Sequence, residues 1–217
     1  PKPMQDQNGS GMHTHVMLTK DGQNALFDAE DPHLLSLHGR QFVTGLLRHA
    51  RELCLVFAQW VNSYKRLVPG YEAPTNLAFS RANRSAAIRI PVSLSPKTTR
   101  IEFRTPDPTA NPYLALAAQL MAGLDGIRRR IDPTAAGFGP VDIDIYHHAG
   151  SAAVQLKHVP SSLRQAVEAL KADHEFLLEG DVFSEDLIET FIALKEDEIR
   201  NLETHPHPVE FEMYFDN

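Results

Sequence analysis

The chain contains a single cysteine, no long apolar run and no excess of positive charge. One cysteine, Cys54, excludes a framework of intrachain disulfides and favours a reducing compartment, so we expect a cytoplasmic protein. No apolar stretch approaches the roughly 18 residues of a membrane-spanning helix, so we expect no membrane contact. The formal net charge of −7 disfavours a nucleic-acid partner, because such proteins usually present a broad basic face.

The length and the apolar content are those of a globular protein with a substantial core. The 217 residues allow one large domain or two small ones. Cys54 lies in the apolar run 53–57, which predicts a buried small hydrophobe rather than a nucleophile. The first residue is a proline and the chain starts without linker-like composition, so we expect a piece of a longer protein.

Basic residues are concentrated between residues 62 and 104, against the acidic background of the chain. Cations gathered in this way predict a pocket for a small, highly charged anion. Arginine offers a planar fork to a phosphate or carboxylate, and lysine offers a point charge. Four of these cations would suit a polyphosphate that undergoes phosphoryl transfer. They are Arg84, Arg89, Lys97 and Arg100.

The segment Arg100-Ile-Glu-Phe-Arg104 has the alternation of a half-buried strand. A period of two places Arg100, Glu102 and Arg104 on one face, while the two apolar residues face the core. One interpretation is a solvated face with local ion pairs. The other is the wall of a site, where the glutamate binds a metal and the arginines bind anions.

Two histidines that lie two residues apart also have two interpretations. His13 and His15 project from the same face of a predicted strand, and they are either ordinary polar side chains or ligands. The glycine-rich loop 8–11 precedes them, and its backbone N–H groups would allow a substrate to approach closely. This loop is not a phosphate-binding P-loop, because the lysine and the serine or threonine of that motif are absent.

The remaining pattern predicts strands alternating with helices. Strands are predicted at 12–18, 86–90 and 99–104, and a turn at Asp21-Gly22. Helices are predicted at 34–60, 113–131, 161–178 and 184–203, with Asn111 and Ser184 as capping residues. The tail 205–215 is predicted to be extended and partly apolar, which makes it a candidate for docking on another subunit.

Several long motifs in order resemble those of class I (bacterial-type) glutamine synthetases, in the C-terminal part of the catalytic domain. The resemblance covers essentially the whole chain. It rests on the segments 8–13, 62–74, 83–91, 100–104, 111–115, 121–126 and 206–214. It implies an α+β fold, with an antiparallel sheet lining the site, helices behind it and a helical C-terminal region. Residues 1–133 would carry the site, and residues 134–217 the C-terminal loop, helices and tail.

The resemblance implies a reaction in which ATP phosphorylates the side-chain carboxylate of glutamate and ammonia displaces the phosphate. Mg²⁺ or Mn²⁺ would neutralise the phosphates. Residues matching family metal ligands are His13 and Glu102. Those matching glutamate-binding positions are Asn8, Gly9, Arg66 and Arg104. Those matching the ATP-phosphate surroundings are His15, Arg89, Lys97 and Arg100. Glu72 matches the carboxylate of the ammonium site on a flap, and Arg84 a cation shared by substrate and transferring phosphate.

The resemblance also implies partners and missing parts. Family members form ring-shaped homo-oligomers, twelve subunits in the bacterial type, in which a neighbouring N-terminal domain completes each site. The N-terminal β-grasp domain and most metal-binding glutamates lie outside this sequence, so we expect no activity from the chain alone. Tyr146 falls near a tyrosine that some members adenylylate, although the usual following Leu-Pro is absent.

Two other functions remain open at this point. A related ligase would join glutamate to methylamine or a polyamine instead of ammonia; Glu72 favours ammonium. A non-catalytic paralogue would keep the fold alone, and the intact metal and phosphate positions disfavour it.

Overall fold

A computed structural model of the chain describes residues 1–92, 95–142 and 156–215. These residues form helices and strands in an α+β arrangement, as predicted. The helices are α1 (Leu37–Arg48), α2 (Ala50–Phe57), α3 (Val61–Arg66), α4 (Pro112–Arg129), α5 (Leu163–Ala172), α6 (Glu175–Leu178), α7 (Glu185–Glu203) and α8 (Pro208–Tyr214). The strands are β1 (Thr14–Val16), β2 (Thr19–Lys20), β3 (Gln23–Asn24), β4 (Asn76–Ser80), β5 (Ala86–Arg89) and β6 (Ile101–Phe103).

The main sheet has the strand order β1-β6-β5-β4. β6 pairs antiparallel with β1 and with β5, but β4 pairs parallel with β5. The expected antiparallel sheet is therefore wrong for one of its three pairings. β4 has no signal in the sequence pattern. All five of its residues are buried, so the strand lacks the alternation of apolar and polar residues that marks a half-exposed strand.

The sheet packs against a helical layer in which α1 and α4 cross closely. Glycine makes this approach possible, because a Cβ at Gly45 would fall on the carbonyl oxygen of Ala122. α4 starts as predicted, with the Asn111 side chain accepting from the Tyr113 N–H at 3.0 Å and Pro112 in the first turn. Cys54 is fully buried in this core, as predicted, and burial raises the pKa of its thiol.

Three predictions of secondary structure need correction. The predicted helix 34–60 is two helices that meet at His49, and the predicted helix 161–178 is interrupted at Asp173, whose backbone is extended. The tail is not extended but forms α8, which starts with a capping box between His207 and Glu210. Pro208 at its first turn and the glutamate that follows are helix-start signals, and they outweigh the aromatic residues that suggested extension.

Among the described residues, no helix combines the length and the apolar composition needed to cross a bilayer.

Candidate active site

Glu102, buried at the centre of β6, is the centre of the candidate site. It is 2% exposed, and its register places it opposite His15 of β1 and Arg89 of β5. One carboxylate oxygen lies 2.6 Å from Arg89 Nε, and the other lies 2.9 Å from His13 Nδ1 and 3.7 Å from Arg104 Nε. The Glu102 carboxylate is therefore buried among basic side chains rather than solvated, which fits the wall of an anion-binding site.

The contacts of His13 fit a neutral imidazole whose second ring nitrogen could bind a metal ion. Its Nδ1 donates to the Glu102 carboxylate, so its Nε2 keeps a lone pair. Burial, followed by the nearby Arg104 guanidinium, lowers the pKa of His13, and the opposing effect of Glu102 is smaller. A Cβ at position 11 would lie 2.8 Å from His13 Nε2. Glycine at that position therefore keeps the lone pair accessible.

A second contact joins β1 to the residue just before β6. Arg100 Nε donates to His15 Nδ1 at 3.1 Å, which leaves the proton of a neutral His15 on Nε2. Thr14, between the two histidines, faces the other side of the strand and is buried. Its hydroxyl lies 2.6 Å from Gln119 Oε1 of α4. The two histidines thus share a face, as the strand period predicts.

Arg66, at the end of α3, lies beneath the glycine-rich loop. It is 5% exposed and donates to the main-chain carbonyls of Thr105 at 2.8 Å and Arg104 at 2.9 Å. Burial lowers its pKa to about 10, so it stays charged at neutral pH. A Cβ at Gly9 would lie 2.7 Å from Arg66 Cγ, so the loop depends on glycine for this close contact. Asn8 beside it is exposed.

Glu72 and Arg84 form an exposed ion pair at 2.5 Å, on two loops that border the site. Glu72 has a φ of 53°, in the left-handed region that favours glycine. The Arg84 carbonyl accepts from Arg104 Nη1, which joins this loop to β6. The predicted ammonium carboxylate and the predicted phosphate cation therefore neutralise each other in this structure.

Lys97 lies apart from this cluster, exposed on a single 3₁₀ turn (Pro96–Thr98) that leads into β6. Sequence reasoning missed the residue that fixes this turn. The Asn24 side chain donates to the carbonyls of Pro96 and Thr99, at 2.8 Å each. No local signal predicts this role, because it links residues more than 70 positions apart. Tyr146 lies outside the described residues.

The comparison with known proteins identifies the family. A family model of the glutamine synthetase catalytic domain matches residues 1–214. The chain belongs to the glutamine synthetase family. It is 50% identical over 218 residues to the glutamine synthetase of Mycobacterium bovis and 51% identical over 215 residues to that of Neisseria gonorrhoeae. These alignments cover 100% and 99% of this chain but 45% and 44% of the relatives, so the chain spans less than half their length.

Solved structures of the family have the same fold. The glutamine synthetase of Plasmodium falciparum superposes with a TM-score of 0.84 at 30% identity, covering 99% of this chain and 48% of that one. A GmaS/ADP complex superposes with a TM-score of 0.83 at 34% identity, covering 100% of this chain and 48% of that one. The α+β fold predicted from the resemblance is thus confirmed.

The described residues could supply only part of a metal site. Within the described ranges, no group of three histidine, cysteine or acidic side chains is placed to hold a metal ion. His13 and Glu102 are two adjacent donors, one imidazole nitrogen and one carboxylate. Such a pair fits Mg²⁺ or Mn²⁺, which commonly take one or two protein carboxylates together with water and substrate phosphates.

Proposed function

We propose that the full-length protein joins ammonia to the side-chain carboxylate of L-glutamate, with ATP consumed and γ-glutamyl phosphate as the intermediate. The observation that carries this proposal is the buried Glu102, contacted by His13, Arg89 and Arg104 on one sheet face. A carboxylate surrounded by cations suits a metal-bound polyphosphate, since metal and phosphate would take up the opposite charges.

The proposed site residues divide by their position. Arg89, His15, Arg100 and Lys97 are proposed to hold the ATP phosphates, because Arg89 and His15 lie on β5 and β1, while Arg100 and Lys97 lie just before β6. The ADP bound to GmaS supports a nucleotide in this fold. Asn8, Gly9, Arg66 and Arg104 are proposed to hold glutamate, because the glycine-rich loop rests on Arg66 and Arg66 donates to the Arg104 carbonyl.

Glu72 and Arg84 are proposed to act at the transfer itself. A developing phosphate charge at Arg84 would compete with the Glu72 carboxylate for the guanidinium. The released carboxylate would then attract ammonium and accept its proton, which leaves ammonia to attack the acyl phosphate. His13 and Glu102 would hold the divalent cation, which would neutralise phosphate charge and orient the transferred group.

The proposed assembly is a homo-oligomer, a ring of twelve subunits by resemblance, located in the cytoplasm. α8 supports a subunit contact, because several of its large apolar side chains are exposed. They are Val209, Phe211, Met213 and Tyr214, and Phe215 directly after the helix is also exposed.

The 217-residue chain alone is expected to have no synthetase activity. The described part supplies only two metal donors, and the relatives are about twice as long. A coupled ADP-release assay with glutamate, ammonia, ATP and Mg²⁺ tests this expectation. Turnover well above the background without glutamate would refute it.

The same assay on the full-length protein tests the proposed reaction. We expect ammonia to support turnover, with methylamine and putrescine poor substrates, because Glu72 favours a small cation that it can deprotonate. Faster turnover with either amine would replace the proposal by the related ligase. Failure to bind ATP with Mg²⁺ would favour the non-catalytic paralogue.

A further inference from the structure

Arg84 lies on an unusually short connection between two parallel strands. β4 and β5 pair in parallel, with Ser80 opposite Arg89 in the register, yet only residues 81–85 join them. Parallel strands are usually joined by a dozen or more residues, commonly including a helix. A return path this short has no room for a helix, so its course depends on hydrogen bonds from side chains.

The hydroxyl of Ser80, at the end of β4, fixes the first part of this connection. Its Oγ accepts from the main-chain N–H groups of Ala82 at 3.2 Å and Asn83 at 3.0 Å. The same hydroxyl donates its proton to Asp142 Oδ1 at 2.7 Å. That carboxylate oxygen also accepts from the main-chain N–H of Arg81 at 2.9 Å. The two side chains together therefore hold the main chain of the residues that follow β4.

The main chain on the other side of Arg84 is held as well. Asn83 Oδ1 accepts from the main-chain N–H of Ser85 at 2.9 Å and from its hydroxyl at 2.8 Å. The Arg84 carbonyl accepts from Arg104 Nη1. The Arg84 side chain, by contrast, is 64% exposed and pairs with the equally mobile carboxylate of an exposed Glu72. The direction of the guanidinium therefore depends on the backbone of the connection.

Asp142 is in turn held by His33, from the loop before α1. Its Oδ2 lies 2.9 Å from His33 Nε2, and the His33 ring is largely buried and packs edge-on against Phe79 of β4. Burial alone would raise the pKa of Asp142, but three hydrogen-bond donors outweigh burial and lower it. The donors are the Arg81 main chain, His33 and Ser80. The carboxylate is therefore ionised at neutral pH, and both of its oxygens accept.

Ser80, Asp142 and His33 are the residue types of a hydrolytic triad, but their order is wrong for one. The serine hydroxyl donates to the carboxylate instead of the imidazole, so the histidine is not placed to take its proton. The serine is also fully buried, which keeps it from a substrate. None of the three belongs to the residues proposed to bind glutamate, ATP or metal, so their contacts point to a supporting role.

We propose that Asp142 and Ser80 are positioning residues for phosphoryl transfer, which hold residues 81–83 so that Arg84 meets the transferring phosphate. Each acts only through Arg84. The inference rests on the role proposed for Arg84 in the synthetase reaction. It predicts a lower kcat with little change in the KM for ATP, because the phosphate contacts proposed for Arg89 and Arg100 stay in place.

Steady-state ADP release by the full-length protein, with glutamate, ammonia, ATP and Mg²⁺, tests the inference. Asp142→Ala removes the acceptors of all three donors, so we expect kcat to fall about tenfold or more while the KM for ATP changes less than about twofold. Ser80→Ala should act in the same way. Asp186→Ala, at an exposed position in the first turn of α7, is the matched control and should change neither parameter. Parent-like kcat in both Asp142→Ala and Ser80→Ala would overturn the proposal.

Asp142→Asn distinguishes positioning from an effect of charge. Asparagine keeps one carbonyl oxygen for Ser80 Oγ and the Arg81 N–H, and its amide group donates to His33 Nε2 once the imidazole adopts the other tautomer. We therefore expect Asp142→Asn to recover kcat to within about threefold of the parent. Equal losses in Asp142→Asn and Asp142→Ala would show that the charge matters and would contradict positioning through the main chain.

A double-variant cycle with Arg84 separates this inference from the proposed reaction. Arg84→Gln alone should lower kcat about hundredfold, because it removes a cation that stabilises the transferring phosphate. Asp142→Ala should then have no further effect in the Arg84→Gln background. If it still lowers kcat about tenfold there, positioning through Arg84 is wrong while the proposed reaction stands. If Arg84→Gln alone leaves kcat unchanged, the role proposed for Arg84 is wrong.

Limited trypsin digestion of the full-length protein, followed by mass spectrometry, tests the anchoring without any activity. Trypsin cleaves after arginine, and the connection contains Arg81 and Arg84. Relative to cleavage after Arg200 in α7, cleavage at these two sites should accelerate about tenfold in Asp142→Ala and Ser80→Ala, since local opening exposes the chain. It should stay at the parent rate in Asp142→Asn. Parent-like cleavage in the two alanine variants would refute the anchoring, whatever reaction the protein catalyses.

Discussion

The Glu102→Gln variant is expected to lose about 3–5 kcal/mol of unfolding free energy, because it removes the negative partner of a buried cluster. The Glu102 side chain is 3% exposed and accepts from Arg89 and His13. Glutamine keeps the volume and one carbonyl oxygen but no charge, so the Arg104 guanidinium nearby also loses its partner. Urea denaturation followed by circular dichroism measures the loss. The free energy of unfolding should depend on urea concentration with the same slope in variant and parent.

The matched control is Glu72→Gln, which breaks another glutamate–arginine pair. Glu72 and Arg84 lie 2.5 Å apart, but their side chains are 54% and 64% exposed. An exposed pair contributes at most about 1 kcal/mol, so this variant should unfold nearly like the parent. Equal losses in the two variants would contradict the view that burial, rather than ion pairing as such, makes Glu102 central.

The same two variants separate stability from catalysis in the full-length protein. Glu102→Gln should abolish turnover and weaken Mn²⁺ binding, since it removes one of the two proposed metal donors. Glu72→Gln should keep metal and ATP binding and lose turnover with ammonia. Full activity of a folded Glu102→Gln enzyme would refute the proposed metal role.

The strand that carries the site was predictable from local pattern. Alternation in 100–104 places Glu102 beside the arginines, and the same period places His13 and His15 together. A local pattern cannot state which strands are neighbours. The ion pair from Glu102 to Arg89 depends on β5 lying next to β6, and the hydrogen bond from His13 to Glu102 depends on β1 lying on the other side.

The rest required tertiary information. β4 is buried on both faces, so its sequence carries no period, and its parallel pairing with β5 has no local signal. The Glu72–Arg84 pair joins two loops, and its geometry depends on the left-handed backbone at Glu72.

The Gly45→Ala variant is expected to be among the most damaging small substitutions in the helical layer. Helix propensity alone predicts the opposite, because alanine is favoured over glycine in a helix by about 1 kcal/mol. The added Cβ, however, would fall on the Ala122 carbonyl oxygen of α4, which is backbone and cannot rotate away. Overpacking of a core costs about 1–3 kcal/mol when side chains can adjust, so a backbone clash should cost at least about 3 kcal/mol. Chemical denaturation measures the loss.

Two further variants test the steric explanation for Gly45→Ala. A Cβ at Gly22 would meet open space, but the backbone φ there is 74°. Gly22→Ala should therefore lose only about 1 kcal/mol of unfolding free energy. Gly126→Ala meets the backbone of α1 at the same crossing and should be as damaging as Gly45→Ala. The double variant Gly45→Ala/Gly126→Ala should lose less unfolding free energy than the sum of the two single losses. The first methyl group already pushes the two helices apart, so the second methyl group meets a weaker clash. If the two losses of free energy add strictly, the two glycines act separately. A Gly45→Ala protein more stable than the parent would mean that helix propensity outweighs the clash.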